Sequence, residues 1–239
     1  IGADITFAFD ELTSLIDPYD YQVEALARTH AWAERSLAEV KRLREARPDK
    51  PYQALFGVLQ GANYEDLRKQ TAAFLGAMDF DGYGIGGALE KETMAQTIQW
   101  VNQILPENKP RHLLGISEPD DIFAAIEQGI DTFDCVSPTR VARNGAAYTP
   151  LGRVNVRGQK YRELFAPIME NCDCYTCQNY TAAYLCHLLH ARESLAGTLL
   201  SIHNERFIVK LVDDIRASLE DGTFYEFRET FLHKYYAKS

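Results

Sequence analysis

Short apolar runs recur along the first 140 residues, each followed by a longer stretch whose apolar positions return every three or four residues. The runs cover residues 5–10, 54–60, 83–87, 112–116 and 132–136. Each is short and apolar throughout, the pattern of a parallel strand buried on both faces. The stretches between them, residues 20–46, 64–78, 93–105 and 119–128, read as amphipathic helices. The second follows a Gly61-Ala62-Asn63 turn, and Ser117-Glu118-Pro119-Asp120 is a plausible helix start for the last. Repeated β-α units predict a parallel sheet with right-handed crossovers, either a barrel or a doubly wound sheet. No G-x-G-x-x-G follows the first strand, and the glycine-rich run Gly82-Tyr83-Gly84-Ile85-Gly86-Gly87 closes a strand rather than opening a helix. A dinucleotide-binding reading is therefore weak.

Past Pro150 the pattern changes. A Gly/Arg-rich stretch leads into a cysteine cluster, and helical periodicity then runs from Thr181 to Lys238 with segments at 194–202, 205–220 and 224–236. No further strand is expected. The domain division predicted is a barrel portion, residues 1–150, and a metal-stapled helical subdomain, residues 151–239.

Composition narrows the class. With 239 residues, 46% hydrophobic and 25% charged, the chain reads as a soluble globular protein and not as a disordered or collagen-like one. No apolar run approaches the roughly 18 residues of a membrane-spanning helix, and no signal-peptide pattern opens the sequence. The first residue is Ile1, not Met, from which we expect the chain to begin inside a longer gene product. The formal net charge of −9 argues against a general nucleic-acid coat. Between Cys135 and Arg162, however, there is no acidic residue, while Arg140, Arg143, Arg153, Arg157, Lys160 and Arg162 are all basic. Such a stripe on an acidic body suits a polyanion bound on one face, or else it is a solvated Arg-rich loop.

Three of the five cysteines fall in Cys172-Asp173-Cys174-Tyr175-Thr176-Cys177. A disulfide scaffold would spread its cysteines along a short secreted chain, so the cluster reads as a metal site in a reducing compartment. Three soft thiolates favour zinc in a closed, structural tetrahedron, with the fourth ligand drawn from His187, His190, His203 or Cys186. Two carboxylates stand at strand ends, Asp10 and Asp134, where active-site groups of parallel α/β folds gather. They could serve as nucleophile and as base or recognition group, or simply cap a helix or pair with an arginine. Gln60 and the Gly86-Gly87 pair also end strands. A Gln amide offers a donor and an acceptor to a planar base, and glycine lets backbone approach it.

In order and spacing, Gly57-Val58-Leu59-Gln60-Gly61, Gly82–Gly87, His112-Leu113-Leu114-Gly115, Phe133-Asp134-Cys135-Val136-Ser137-Pro138-Thr139-Arg140 and the set Cys172, Cys174, Cys177, His203 resemble the tRNA-guanine transglycosylases (queuine tRNA-ribosyltransferases). The resemblance covers essentially the whole chain. It implies a TIM (β/α) barrel, only part of which lies in this chain, with a zinc-binding helical C-terminal subdomain. The activity implied is exchange of the wobble guanine of tRNA for a 7-deazaguanine (queuine or its precursor). By resemblance, Asp134 is the nucleophile on the ribose, Asp10, Gln60, Gly86 and Gly87 hold the base, and Leu89 and Leu114 lie near its faces. Cys172, Cys174, Cys177 and His203 bind one structural Zn²⁺ per chain, and Arg140 and Arg143 meet tRNA phosphates. The expected setting is cytoplasmic, away from membranes, as a homodimer.

Family members extend well beyond this length at the N-terminus, where early barrel strands and a second catalytic Asp lie, so the chain is expected to be the C-terminal portion. Leu12 stands where bacterial relatives often carry Cys beside the base. Two rivals come from other classes. An accessory subunit without activity would not need Asp134, Asp10 and Gln60 together. An unrelated barrel glycosidase would not need the cysteine set or the basic stripe.

Overall fold

The structure is a computed structural model in which residues 2–87, 89–116 and 118–237 are described. The helix start expected at Ser117 and the last expected helical position, Lys238, lie outside the described residues, as does Ile1. The chain divides into two compact units, Ile1–Ile116 with Ala124–Asp134, and Ser117–Phe123 with Cys135–Ser239.

The first unit carries β1 (Ile5–Phe7), α1 (Tyr19–Ala46), β2 (Ala54–Leu59), α2 (Glu65–Gly76), β3 (Gly82–Ile85), α3 (Met94–Asn102), β4 (Arg111–Leu114) and β5 (Thr132–Asp134); α4 (Pro119–Glu127) precedes β5. The five strands are all parallel and lie in sequence order. A doubly wound sheet reverses its strand order at a switch point, and this one does not. The sheet also curls. The rings of Phe7 on β1 and His112 on β4 stand 5.3 Å apart, whereas strands three places apart in a flat sheet are separated by about 14 Å. This is a segment of a (β/α) barrel, and the alternation between barrel and doubly wound sheet resolves in favour of the barrel.

Along β2 every residue from Leu55 to Leu59 is buried, which explains its unbroken apolar run. Leu55, Leu59, Tyr83, Ile85, Leu113 and Phe133 face the helices and join Ala33, Leu37, Ala72, Leu75, Ile98 and Val101 in one core. The opposite face carries Phe7, Phe56, Gly82, Gly84, His112 and Leu114. A Cβ on Gly84 would stand 2.7 Å from the Phe7 ring, so the missing side chain is what admits that ring. In α1 the buried positions Ala25, Leu26, Thr29, Ala33 and Leu37 form one helical stripe. That helix stops before Arg47, which precedes Pro48 and leaves the helical region, which a pre-proline residue disfavours.

The second unit contains α5 (Ser137–Arg143), a hairpin of β6 (Ala146–Thr149) and β7 (Gly152–Asn155), a 3-10 turn (Gln159–Tyr161), α6 (Tyr175–Asn179), α7 (Ala182–Ala191), α8 (Ser194–Glu220) and α9 (Phe224–Tyr236). Helix α8 is its axis, packed by α5, α6, α7, α9 and β6. The structure corrects two expectations. The segments 194–202 and 205–220 are one helix, because Leu200, His203, Asn204, Phe207, Leu211 and Ile215 make a continuous inward stripe. His203 and Asn204 interrupt the apolar pattern while remaining fully buried, and tertiary partners satisfy them. Second, the Gly/Arg-rich stretch does hold strands, β6 and β7, closed by the two-residue turn Pro150-Leu151. Their outward residues Arg153 and Asn155 hid the alternation.

Candidate active site and metal centre

On the first unit, the C-terminal strand ends bring the sequence-predicted groups into one row. Asp10, just past β1, accepts a hydrogen bond at Oδ2 from Gln60 Nε2 at 2.5 Å. A carboxylate can only accept, so the amide is oriented with Oε1 turned away, and that oxygen has no partner among the described residues. Gln60 lies against the next strand end. A Cβ on Gly86 would stand 3.1 Å from its Nε2, and one on Gly87 2.9 Å from its Oε1. Gly87 has φ +97°, a second reason for glycine there. Leu114 closes the row, its Cδ1 lying 3.2 Å from the same point at Gly86. Leu89 is half-buried against the helix-side core, and Leu12 is exposed.

Asp134 ends β5 on the inner face. Its Oδ1 accepts from His112 Nε2 at 3.0 Å and from the backbone N–H of Gly115 at 3.3 Å. Oδ2 has no partner among the described residues, and the side chain is 60% exposed. This is the geometry of a held carboxylate that still presents one oxygen.

Behind Gln60 sits a residue the sequence reading missed. Arg68 on α2 is fully buried, and its guanidinium donates to the carbonyls of Ala62, Leu59 and Gly86 at 2.8, 3.2 and 2.8 Å. No carboxylate among the described residues pairs it, and burial pushes its pKa down to about 9. The three carbonyls belong to the ends of β2 and β3 and the loop between β2 and α2, so Arg68 ties together the backbone that carries Gln60 and Gly86. A cation inside the stripe Leu67, Arg68, Thr71, Ala72, Leu75 was the signal available in the sequence.

On the second unit, Cys172, Cys174, Cys177 and His203 are all buried, with their ligand atoms within 4.8 Å of one another. His203 Nδ1 lies 3.7, 3.6 and 3.4 Å from the three sulfurs. Metal–sulfur and metal–nitrogen bonds of ordinary length at a tetrahedral angle give an edge of about 3.5 Å. The ring's other nitrogen, Nε2, donates to the Tyr148 carbonyl at 2.8 Å, which fixes the tautomer and points the Nδ1 lone pair at the sulfurs. In the bare cluster a hydrogen bond with Cys177 holds the Cys174 thiol well below its usual pKa and holds Cys177 above its own. Burial pushes Cys172 up. Four buried donors converging within 4.8 Å, at separations near a tetrahedral edge, suit a metal ion. Of the other candidate ligands, His187 and His190 are exposed on α7, and Cys186 lies near the Gly158 carbonyl.

Next along α8, Asn204 is fully satisfied. Its Oδ1 accepts from Tyr148 N–H at 2.9 Å, and its Nδ2 donates to Pro138 and Ala146 carbonyls at 3.0 and 3.1 Å. It thereby pins α5 and β6 to α8. Helix α5 presents Arg140 and Arg143 to solvent, neither paired with an acid among the described residues. The basic stripe is otherwise less continuous than its sequence. Arg153 is ion-paired to Glu118, from outside the acid-free stretch, and Arg157 donates to the Leu189 carbonyl.

A family profile described as queuine tRNA-ribosyltransferase matches residues 1–237. Proteins named queuine tRNA-ribosyltransferase from Streptococcus equi subsp. zooepidemicus and Symbiobacterium thermophilum are each 45% identical, over 98% and 99% of this chain and 61% and 58% of their own lengths. One from Streptococcus pyogenes serotype M49 is 45% identical over 100% of this chain and 62% of its own. The chain thus spans about three fifths of the length of the curated relatives it matches. With the strand-end carboxylates, the inner-face glycines and the buried cysteine–histidine cluster all inside the matched residues, the chain belongs to the queuine tRNA-ribosyltransferase family.

Proposed function

We propose that this chain carries the nucleophile, the base pocket and the metal centre of a tRNA-guanine transglycosylase, a pentosyltransferase that exchanges the wobble guanine of tRNA for a 7-deazaguanine. The observation that carries the reading is Asp134, held through Oδ1 with Oδ2 open at the mouth of a barrel sheet. Oδ2 attacks the ribose anomeric carbon as the glycosidic bond breaks, and the departing guanine takes the electron pair. The incoming base then attacks the same carbon and sheds its ring N–H proton as the bond to Oδ2 breaks, while the departed guanine anion gains one. Two displacements preserve the energy of the glycosidic bond, so the exchange runs without an external energy source.

Asp10 suits the base. A guanine-type edge offers two adjacent N–H donors, which one carboxylate accepts together. Gln60 and the backbone at Gly86 and Gly87 complete the edge, with Leu114 at a face of the ring; Leu89, packed against the helix-side core, does not line the inner-face row. Cys172, Cys174, Cys177 and His203 hold zinc: three thiolates select a soft ion, and the closed set leaves no position for water, so its role is structural. None of the five cysteines is in a disulfide, which fits a reducing, cytoplasmic setting. No helix among the described residues is long and apolar enough to cross a membrane. A second copy of the chain is the further partner. Exposed Tyr184, stacked on half-buried Tyr180, and exposed Tyr175 and Phe165 offer it an aromatic face.

Arg140 and Arg143 meet tRNA phosphates. In the full-length protein, labelled guanine should enter tRNA, and tRNA affinity should fall steeply with salt. Arg143→Ala should weaken binding equally for every incoming base and reduce the logarithmic salt slope by about 0.7–0.9 for each phosphate it no longer neutralises. Salt-independent binding would remove the electrostatic basis for this assignment.

A further inference from the structure

Asp134 is an exposed carboxylate at the end of a three-residue strand. Nothing in such a position restrains its terminal torsion by packing, yet a nucleophile must present a defined lone pair to a defined carbon. The restraint comes from β4. His112 Nε2 lies 3.0 Å from Asp134 Oδ1, and His112 Nδ1 lies 2.8 Å from Thr132 Oγ1. An ionised carboxylate only accepts, so Nε2 carries the hydrogen; in the neutral ring Nδ1 is then the acceptor, and the Thr132 hydroxyl donates to it. The Phe7 ring packs on the imidazole at 5.3 Å, tilted by 54°. The histidine side chain is 14% exposed against 60% for the carboxylate. The better-anchored side chain therefore orients the freer one.

We propose that His112 is a positioning residue for the exchange, donating from Nε2 to Oδ1 of Asp134 so that Oδ2 faces the ribose. This rests on the reading that Asp134 is the nucleophile. In the first displacement the Oδ2–carbon bond forms, and the base leaves with the electron pair of the bond it loses. Oδ1 becomes the ester carbonyl oxygen and keeps its hydrogen bonds from His112 and Gly115. In the second displacement the incoming base bonds to the same carbon and gives up its ring N–H proton, the electron pair of the Oδ2 bond returns to the carboxylate, and the departed base anion takes up one proton, so the exchange balances. Charge then redevelops on a group at which both donors are already aimed. Preorganised donors of this kind act on the rate rather than on ground-state binding. His112 touches neither base nor ribose and works through Asp134 alone.

The test compares His112→Phe, His112→Gln and Asp134→Asn in the full-length protein, with zinc content and melting temperature as checks of folding. His112→Phe keeps ring volume against Phe7 and removes the donor. It should lower kcat by about 10²-fold, the scale of losing one preorganised donor, with KM for the base within about twofold. Trapped enzyme–tRNA adduct should also be released more slowly when chased with base. His112→Gln, whose amide N–H reaches a similar distance, should recover most of the loss. A purely structural role would rank Phe above Gln, and that ranking would overturn the proposal. Near-normal kcat in His112→Phe, alongside an inactive Asp134→Asn, would likewise overturn it while leaving the nucleophile in place. Normal exchange by Asp134→Asn would overturn both.

Discussion

Asp134→Asn should abolish guanine exchange, by on the order of 10⁴-fold or more, the scale on which covalent enzymes lose rate without their nucleophile. The amide nearly matches the carboxylate in size and still offers an oxygen to His112 Nε2 and Gly115 N–H. It cannot displace a base from the anomeric carbon. Fold, metal content and tRNA affinity should therefore stay unchanged while turnover disappears. The normal protein should form an adduct with tRNA that survives denaturation, and the variant should form none. Asp10→Asn should act differently. It replaces an acceptor of base N–H groups by an amide that cannot accept at both positions, so base KM rises while some adduct chemistry persists. Near-normal exchange by Asp134→Asn would transfer the nucleophile's role to Asp10.

Removal of the metal should produce the other large effect, on stability. Binding free energy at a structural zinc site is about 10–16 kcal/mol in small zinc domains and enters folding directly. A domain's whole stability is about 5–15 kcal/mol. Chelation should therefore unfold the second unit, seen as loss of helical signal from α6 to α9. Metal assay of the intact protein should give about one zinc per chain. His203→Ala should lose the metal and leave the buried Tyr148 carbonyl without its donor, whereas His187→Ala and His190→Ala, exposed on α7, should retain it. Full zinc content in His203→Ala would refute the assignment of that ligand.

The elements most legible in the sequence were those whose partners are local or generic. A central parallel strand such as β2 is apolar on both faces whatever its neighbours are, and α9 announces itself by aromatic periodicity. The three cysteines of the buried cluster were legible because tight cysteine spacing has few other uses, whereas spacing alone left its histidine open and the family resemblance pointed to His203. What escaped was structure fixed by specific long-range polar partners. Residues 194–220 read as two helices parted at His203 and Asn204, which look polar until their partners on Tyr148, Pro138 and Ala146 are known. The hairpin escaped because its strands are short and its outward residues, Arg153 and Asn155, are polar. Helix α5 escaped because Ser137-Pro138 reads first as a turn, although proline is at home in a first helical turn. His112 opens the His112–Gly115 motif with no role legible there, since a strand residue two places from a strand end acquires meaning only when the neighbouring strand is known.

Tyr148 has both of its backbone polar groups taken by consecutive residues of α8: its N–H goes to Asn204 and its carbonyl to His203. Asn204 holds α5, which bears Arg140 and Arg143. An ion bound by His203 would thus share one backbone segment with the helix proposed to meet RNA. Linked equilibria are reciprocal, so any factor by which zinc tightens tRNA must also be the factor by which tRNA tightens zinc. If that factor exceeds one, bound RNA would retain the ion. When zinc is scarce, protein engaged with tRNA should keep its metal while idle protein surrenders it.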